Sequence, residues 1–164
     1  MSYEQDRKIE DVFAPLIKNI LGQHFIGKIE EADLEQATDF AIYCVKPFKI
    51  AVRLRRFDYF HSFYNEFTIR WSRPSGAKTE IHKIREHLVN YLLYGFLSPD
   101  ETEIIQYFIG DLEKFTDPKP HNIFQNNPYD SELAVYKLNQ FPKEFIVKFY
   151  CHLSYHYVWS QRGR

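Results

Sequence analysis

The stretch "TDFAIYCVKPFKIAVRLRR", residues Thr38–Arg56, decides the predicted fold because apolar and other residues alternate on both sides of a Lys-Pro turn. Apolar residues occupy every second position in residues 40–44 and again in residues 50–54. A period of two is typical of β-strands, whose side chains point alternately to opposite faces. The stretch therefore predicts two strands, joined by a turn at Lys46-Pro47, with Asp39 near the start and arginines at the end.

Helices and further strands are predicted on both sides of this pair. Residues 3–21 carry apolar residues at i, i+3 and i+4 spacing, which predicts an amphipathic helix that stops at Gly22. "EFTIRWS", Glu66–Ser72, alternates like a third strand. Three later segments complete the order: a helix over residues 78–97, a strand over residues 102–115 and a strand over residues 131–141. This order predicts an α/β (α+β) fold with one mixed sheet of about five strands and flanking helices.

Length, charge and cysteine content narrow the class of protein. The chain has 164 residues and a net charge of −1, which fits a single domain over residues 1–164 and gives no overall attraction to nucleic acid. A local basic face is still compatible with that net charge. Two distant cysteines form no disulfide framework, so we expect a reducing, cytoplasmic location. No apolar run approaches ~18 residues, so no membrane span is expected.

Charged residues are concentrated on one predicted face of the three consecutive strands. If their apolar sides share a face, the opposite face carries Asp39, Arg53, Arg55, Glu66, Thr68 and Arg70. Carboxylates are the ligands that Mg²⁺ prefers, and arginines bind phosphate through paired hydrogen bonds. The alternative is an ordinary solvated face, on which cross-strand ion pairs contribute only ~0.2–1 kcal/mol each. The pattern alone leaves both interpretations open.

The order α–β–β–β–α–β, with Asp39 opening one strand and charged residues on the next, resembles the PD-(D/E)xK phosphodiesterase superfamily. The resemblance covers about residues 1–115 and implies a restriction-endonuclease-like αβββαβ core. Residues 116–164 would then form a loop, an extra strand and an aromatic C-terminal element. Asp39 matches the metal-binding aspartate of the family, whereas Ala51 and Arg53 stand at the acidic and lysine positions of its triplet. The same segments also resemble uncharacterised prokaryotic and phage proteins.

The two departures from the family triplet change the expected site. Ala51 cannot bind a metal ion, and the Arg53 guanidinium stays protonated, so it cannot act as a general base. The resemblance then implies a migrated carboxylate, for which Glu66 and Glu80 are the candidates. Lys78 and Lys83 are the candidates for a displaced lysine.

The implied activity is nucleic-acid processing by Mg²⁺- or Mn²⁺-dependent phosphodiester hydrolysis. Asp39 and Glu66 would hold the metal ion, which lowers the pKa of a bound water. Charge on the phosphate would be stabilised by Arg53 together with Lys78 or Arg55. Arg70 and Arg73 would bind flanking phosphates.

Two alternatives do not require catalysis. One is a degenerate relative that binds nucleic acid or a protein partner, such as a phage-encoded modulator. The other is a homo-oligomeric structural protein whose aromatic C-terminus forms the subunit contact, because exposed aromatic patches often mark interfaces.

Overall fold

The structure, a computed structural model, describes residues 9, 11–22, 49–63, 65–125 and 131–152, with backbone alone at residues 61–63. The chain divides into two compact units, Met1–Pro47 and Phe48–Arg164. The first predicted strand, with Asp39, lies outside the described residues, as does the turn that follows it.

The first unit contains helix α1, residues 11–22, which confirms the predicted N-terminal helix over these residues. Phe13 and Ile17, four residues apart, are buried on one side of the helix. Val12 is 74% exposed and Leu16 is also exposed, so the buried stripe is narrower than the apolar periodicity predicts.

The second unit has two β-sheets, which confirms the mixed α/β class. Its described strands are β1 (Ile50–Arg55), β2 (Glu66–Ser72), β3 (Tyr91–Leu97), β4 (Ile104–Asp111), β5 (Asn122–Gln125), β6 (Glu132–Lys137) and β7 (Ile146–Cys151). One sheet has the order β1–β3–β4–β7, with β1 parallel to β3 and the other pairs antiparallel. The other sheet is antiparallel, with the order β2–β6–β5. Helix α2 is Phe57–Phe63 and helix α3 is Glu80–Arg85.

Strands β1 and β2 do not share a sheet, which corrects the expectation of one polar face across consecutive strands. β1 pairs with β3 from Ile50 opposite Tyr91 to Arg55 opposite Phe96, whereas β2 pairs with β6. Helix α2 separates the two strands and allows the chain to pass from one sheet to the other. Alternation shows which side chains share one side of a strand, but it does not identify the neighbouring strand.

The predicted helix over residues 78–97 is wrong beyond Arg85, where helix α3 ends. The Leu88 N–H donates to the Lys83 carbonyl and the His87 N–H to the Ile84 carbonyl, each at 2.9 Å, which is the Schellman pattern of a helix end. His87 adopts the left-handed conformation, φ 54°, that glycine usually supplies at this position. The chain then continues as β3, which is buried along almost its whole length.

The core of the second unit lies between the two sheets. Phe67 of β2 is fully buried, and its ring centroid lies 5.4 Å from that of Phe108 on β4. The same ring stacks on Tyr136 of β6, with 5.6 Å between centroids, and meets Tyr94 of β3 edge to face at 6.1 Å. Facing sheets that interdigitate aromatic side chains bury large apolar areas, because each ring removes ~150–250 Å² from water.

In the described part of the chain after residue 116, the predicted strand over residues 131–141 is shorter and ends at Lys137. The predicted loop contains the short strand β5, which pairs with β6 and extends the three-stranded sheet. Pro142 precedes a single 3-10 turn, Lys143–Phe145, and the chain then enters β7. None of the helices in the described part of the chain is long and apolar enough to cross a bilayer.

Candidate functional site

Glu80 is the carboxylate that joins strands β1 and β2. It is the first residue of α3, and its Oε1 forms an ion pair with the Arg53 guanidinium. Its Oε2 accepts the backbone N–H of Arg70 at 2.9 Å. Burial would raise the pKa of Glu80, but Arg53 and the Arg70 N–H outweigh burial and hold the pKa below its usual 4.5. Both oxygens of the proposed migrated acid are therefore engaged within the protein.

Arg55 is held by neutral partners. Its Nε donates to the Tyr94 hydroxyl at 3.2 Å, and its Nη2 donates to the Thr68 hydroxyl. Its guanidinium carbon lies 5.7 Å from the Tyr59 ring centroid, which is cation–π geometry. Burial disfavours the charge, but Tyr94 and, at longer range, Tyr59 and Glu80 outweigh burial, so the pKa of Arg55 lies above its usual value.

The other two arginines predicted to bind phosphate, Arg70 and Arg73, have different partners from Arg55. The Arg70 Nε donates to the Ser131 hydroxyl at 2.9 Å, which directs this side chain towards β6. Arg73 is exposed in the turn after β2, where its carbonyl accepts the Gly76 N–H at 3.0 Å. The Lys78 Nζ binds both oxygens of Glu86, at 2.6 and 2.7 Å, and is also exposed. The structure thus brings Arg53, Glu80 and the Arg70 backbone together, while Arg73 and Lys78 lie outside this group.

A cleft of about 530 Å³ lies beside Arg55. This depression, the Arg55 cleft, is lined by Arg55, Tyr59, Glu66, Thr68, Tyr94 and Phe124, together with Phe96, His121, Asn122, Leu133 and Val135. Its residues come from both sheets and from α2. Its volume is in the range typical of small-molecule sites.

A second, wider depression of about 860 Å³ lies near the ends of β2 and β6. The lysine groove is lined by Asn65, Glu66, Lys137, Asn139, Lys143 and Phe149, together with Leu138, Phe141, Pro142 and Ile146. Phe149 is 46% exposed, and Lys143 is exposed as well. Lys137 stands opposite Glu66 in the β2–β6 register. Glu66 lines both the groove and the Arg55 cleft, so it lies at their boundary.

The described residues by themselves do not fit a magnesium site. No group of three or more His, Cys, Asp or Glu side chains within this part of the chain is placed to hold a metal ion. Glu80 is committed to Arg53 and Arg70, and Glu66 stands opposite Lys137. The prediction of a metal centre therefore depends on Asp39, outside the described residues.

The sequence alone did not single out Tyr94, Lys137 or Lys143. Tyr94 lies in a segment predicted as helix. Lys137 is the last residue of strand β6 and Lys143 follows that strand, far in sequence from the charged strands. No local pattern links these positions; for example, pairing between strands distant in sequence places Lys137 opposite Glu66 of β2. Comparison with known proteins finds no matching family model, no matching curated protein and no matching solved structure.

Proposed function

We propose that this chain binds single-stranded nucleic acid along the lysine groove. The observation that carries the proposal is the presence of two lysines and a half-exposed phenylalanine in one depression of about 860 Å³. Lysines attract the phosphate backbone, and an aromatic ring stacks with bases irrespective of sequence. Asn65 and Asn139 add amide groups that can donate to phosphate or base edges.

The charge around the groove is compatible with this role even though the whole chain carries a net charge of −1. Within the described residues, neither Lys137 nor Lys143 forms an ion pair, so both ammonium groups are available to phosphate. Arg53 and Arg85, in contrast, are paired with Glu80 and Asp117. We therefore assign the electrostatic contribution to the two lysines rather than to the arginines.

The test is direct binding of a labelled single strand of about 12 nucleotides, a length within the usual range of one binding site. Fluorescence anisotropy would compare wild type with Phe149→Ala. Loss of one stacking ring is expected to weaken binding about 5- to 100-fold. Tyr150→Ala is the matched control, because Tyr150 is similarly exposed but stacks on Tyr107, with 5.3 Å between ring centroids, and does not line the groove. Equal losses in both variants, or no binding by wild type, would reject the groove.

Magnesium-dependent phosphodiester hydrolysis is the second candidate function. The observation in its favour is the position of Glu66, which lies in the groove where we place the strand. The reaction would also require Asp39. Cleavage of plasmid and of single strands with Mg²⁺ or Mn²⁺ should be compared in wild type, Asp39→Ala and Glu66→Ala. Activity that both substitutions abolish would support hydrolysis, whereas equal activity in the three proteins would exclude this site.

A further inference from the structure

The Arg55 cleft contains a cation whose hydrogen-bond partners are neutral. Within the described residues, Arg55 forms no ion pair, and its hydrogen bonds go to the neutral hydroxyls of Thr68 and Tyr94. These bonds use two of the five guanidinium N–H groups, which leaves three donors. A partly buried charge is normally paired, because neutral groups compensate its lost hydration incompletely. The arrangement is that of an anion-binding group already fixed in position.

The surroundings of Arg55 are aromatic. Tyr94 and Phe96 are almost fully buried and form part of the floor of the cleft, with Leu133 from the opposite sheet. Tyr59 and Phe124 are 37% and 38% exposed, and we place them at the rim. Walls of this kind favour a flat, apolar ligand, because rings pack on rings and both surfaces leave water.

A carboxylate at one side of the cleft limits the charge of the ligand. Glu66 lies two residues before Thr68 on β2, so its side chain points to the same side, about 7 Å away along the strand. A ligand anion that binds Arg55 is therefore within reach of one negative charge. Glu66 therefore repels a ligand with one negative charge less than a ligand with two.

We propose that the Arg55 cleft binds a small aromatic carboxylate, whose ring lies between Tyr59 and Phe124 and whose carboxylate meets the Arg55 guanidinium. Arg55 donates to the two carboxylate oxygens, while Thr68 and Tyr94 hold the guanidinium in place. The anchor and the aromatic walls of this site do not line the nucleic-acid groove, although Glu66 lines both depressions.

The experiment is isothermal titration calorimetry with three probes of similar shape: naphthoate, its neutral amide naphthamide, and naphthyl phosphate. Wild type is expected to bind naphthoate about 10- to 100-fold more tightly than naphthamide, since hydrogen bonds to charged groups are the stronger ones. Naphthyl phosphate, which carries up to two charges, is expected to bind more weakly than naphthoate. Equal binding of acid and amide, tighter binding of the phosphate, or no binding of naphthoate would each overturn the proposal.

Variants locate the binding site. Arg55→Gln is expected to abolish the preference for naphthoate over naphthamide, so that the ratio of their affinities falls to about one. Arg85→Gln is the matched control and should leave the ratio unchanged, since Arg85 binds Asp117 and does not line the cleft. Thr68→Val keeps the arginine and the side-chain shape, and should reduce the ratio without abolishing it. An unchanged ratio in both Arg55→Gln and Thr68→Val would refute the assignment to Arg55.

Discussion

Arg53 and Glu80 form an ion pair that links the first strand of one sheet to the helix beside the other sheet. The second oxygen of Glu80 accepts the Arg70 backbone N–H at 2.9 Å, so one carboxylate holds β1, α3 and β2 together. Arg53 is 13% exposed and Glu80 34% exposed at their side chains. The pair therefore has a structural role in the described fold, whatever further role the strands have.

The first prediction concerns the stability that Glu80 provides. Glu80→Gln removes the charge that pairs with Arg53, and loss of a hydrogen bond to a charged group costs about 1.5–3 kcal/mol. Since Glu80 is partly exposed, we expect a loss near the lower end of that range. Chemical denaturation with urea at neutral pH measures the free energy of unfolding. Glu86→Gln is the control, because Glu86 pairs with Lys78 on the surface and should cost at most ~1 kcal/mol.

The same substitution should change the acid sensitivity of the protein. The folded pKa of Glu80 is depressed, so its stabilisation is fully present above the unfolded pKa of about 4.5. It is lost progressively as the pH falls below that value and through the lower folded pKa. Glu80→Gln should therefore flatten the dependence of unfolding free energy on pH below about 4.5. An identical acid profile in wild type and Glu80→Gln would contradict the assigned interaction.

Strand β2 illustrates what the sequence predicts well. Its alternating residues predict Glu66–Ser72, and the structure has these bounds. The inward direction of Phe67 and Ile69 is also confirmed. Such local patterns depend only on the period of one strand, which is why they are readable from the chain itself.

Strand β3 illustrates what the sequence does not show. Leu92, Leu93 and Leu97 are buried on both faces of the strand, so no alternation marks it. His87, rather than a glycine, ends the preceding helix, and therefore the stop signal is also missing. Because the sequence does not mark β3 as a strand, the hydrogen bond between Arg55 and Tyr94 could not be predicted, although Arg55 itself was a predicted site residue. Long-range pairing decides these positions.

The second prediction concerns the buried hydroxyl of Tyr136. The side chain is fully buried, and within the described residues its hydroxyl has no hydrogen-bond partner. Tyr136→Phe removes a hydroxyl group that gives up its hydrogen bonds to water on folding and, within the described residues, gains none in return. We expect the variant to be as stable as wild type or more stable by up to ~1 kcal/mol, measured by urea denaturation. Destabilisation by more than ~1 kcal/mol would show that the hydroxyl has a partner.

Tyr136 also predicts a response to alkaline pH. Burial and the nearby Asp117 raise the pKa of Tyr136 to about 12, from an ordinary value of 10.0. A raised folded pKa means that the stabilisation is fully present below pH 10 and is lost as the pH rises towards 12. Wild type should therefore lose stability in this interval more steeply than Tyr136→Phe. A pH titration followed by the ultraviolet absorbance of phenolate should show one fewer tyrosine with a raised pKa in the variant than in wild type.

The third prediction concerns salt dependence in the lysine groove. If Lys137 and Lys143 each neutralise one phosphate, log Kobs should fall with log salt at a slope of about −1.4, from roughly −0.7 per phosphate. Lys137→Gln and Lys143→Gln should each reduce the slope by about 0.7. Lys83→Gln is the control, since Lys83 is exposed on α3 and does not line the groove. If Lys83→Gln reduced the salt slope as much as the two groove variants, the attraction to phosphate would be nonspecific.

The last prediction concerns Glu66, the residue shared by the Arg55 cleft and the lysine groove. Its negative charge opposes anions in both depressions. Two charges about 7 Å apart in water interact by ~0.6 kcal/mol, so Glu66→Gln should tighten binding of a single strand about threefold at low salt, without divalent ions. The same variant should tighten naphthyl phosphate more than naphthoate, because the phosphate carries the larger charge.

Anisotropy measures the effect of Glu66→Gln on strand binding, and calorimetry measures its effect on the two naphthyl ligands. Glu113→Gln removes an exposed carboxylate outside both depressions and should change neither affinity. Weaker strand binding in Glu66→Gln would instead mean that the carboxylate accepts hydrogen bonds from the bases.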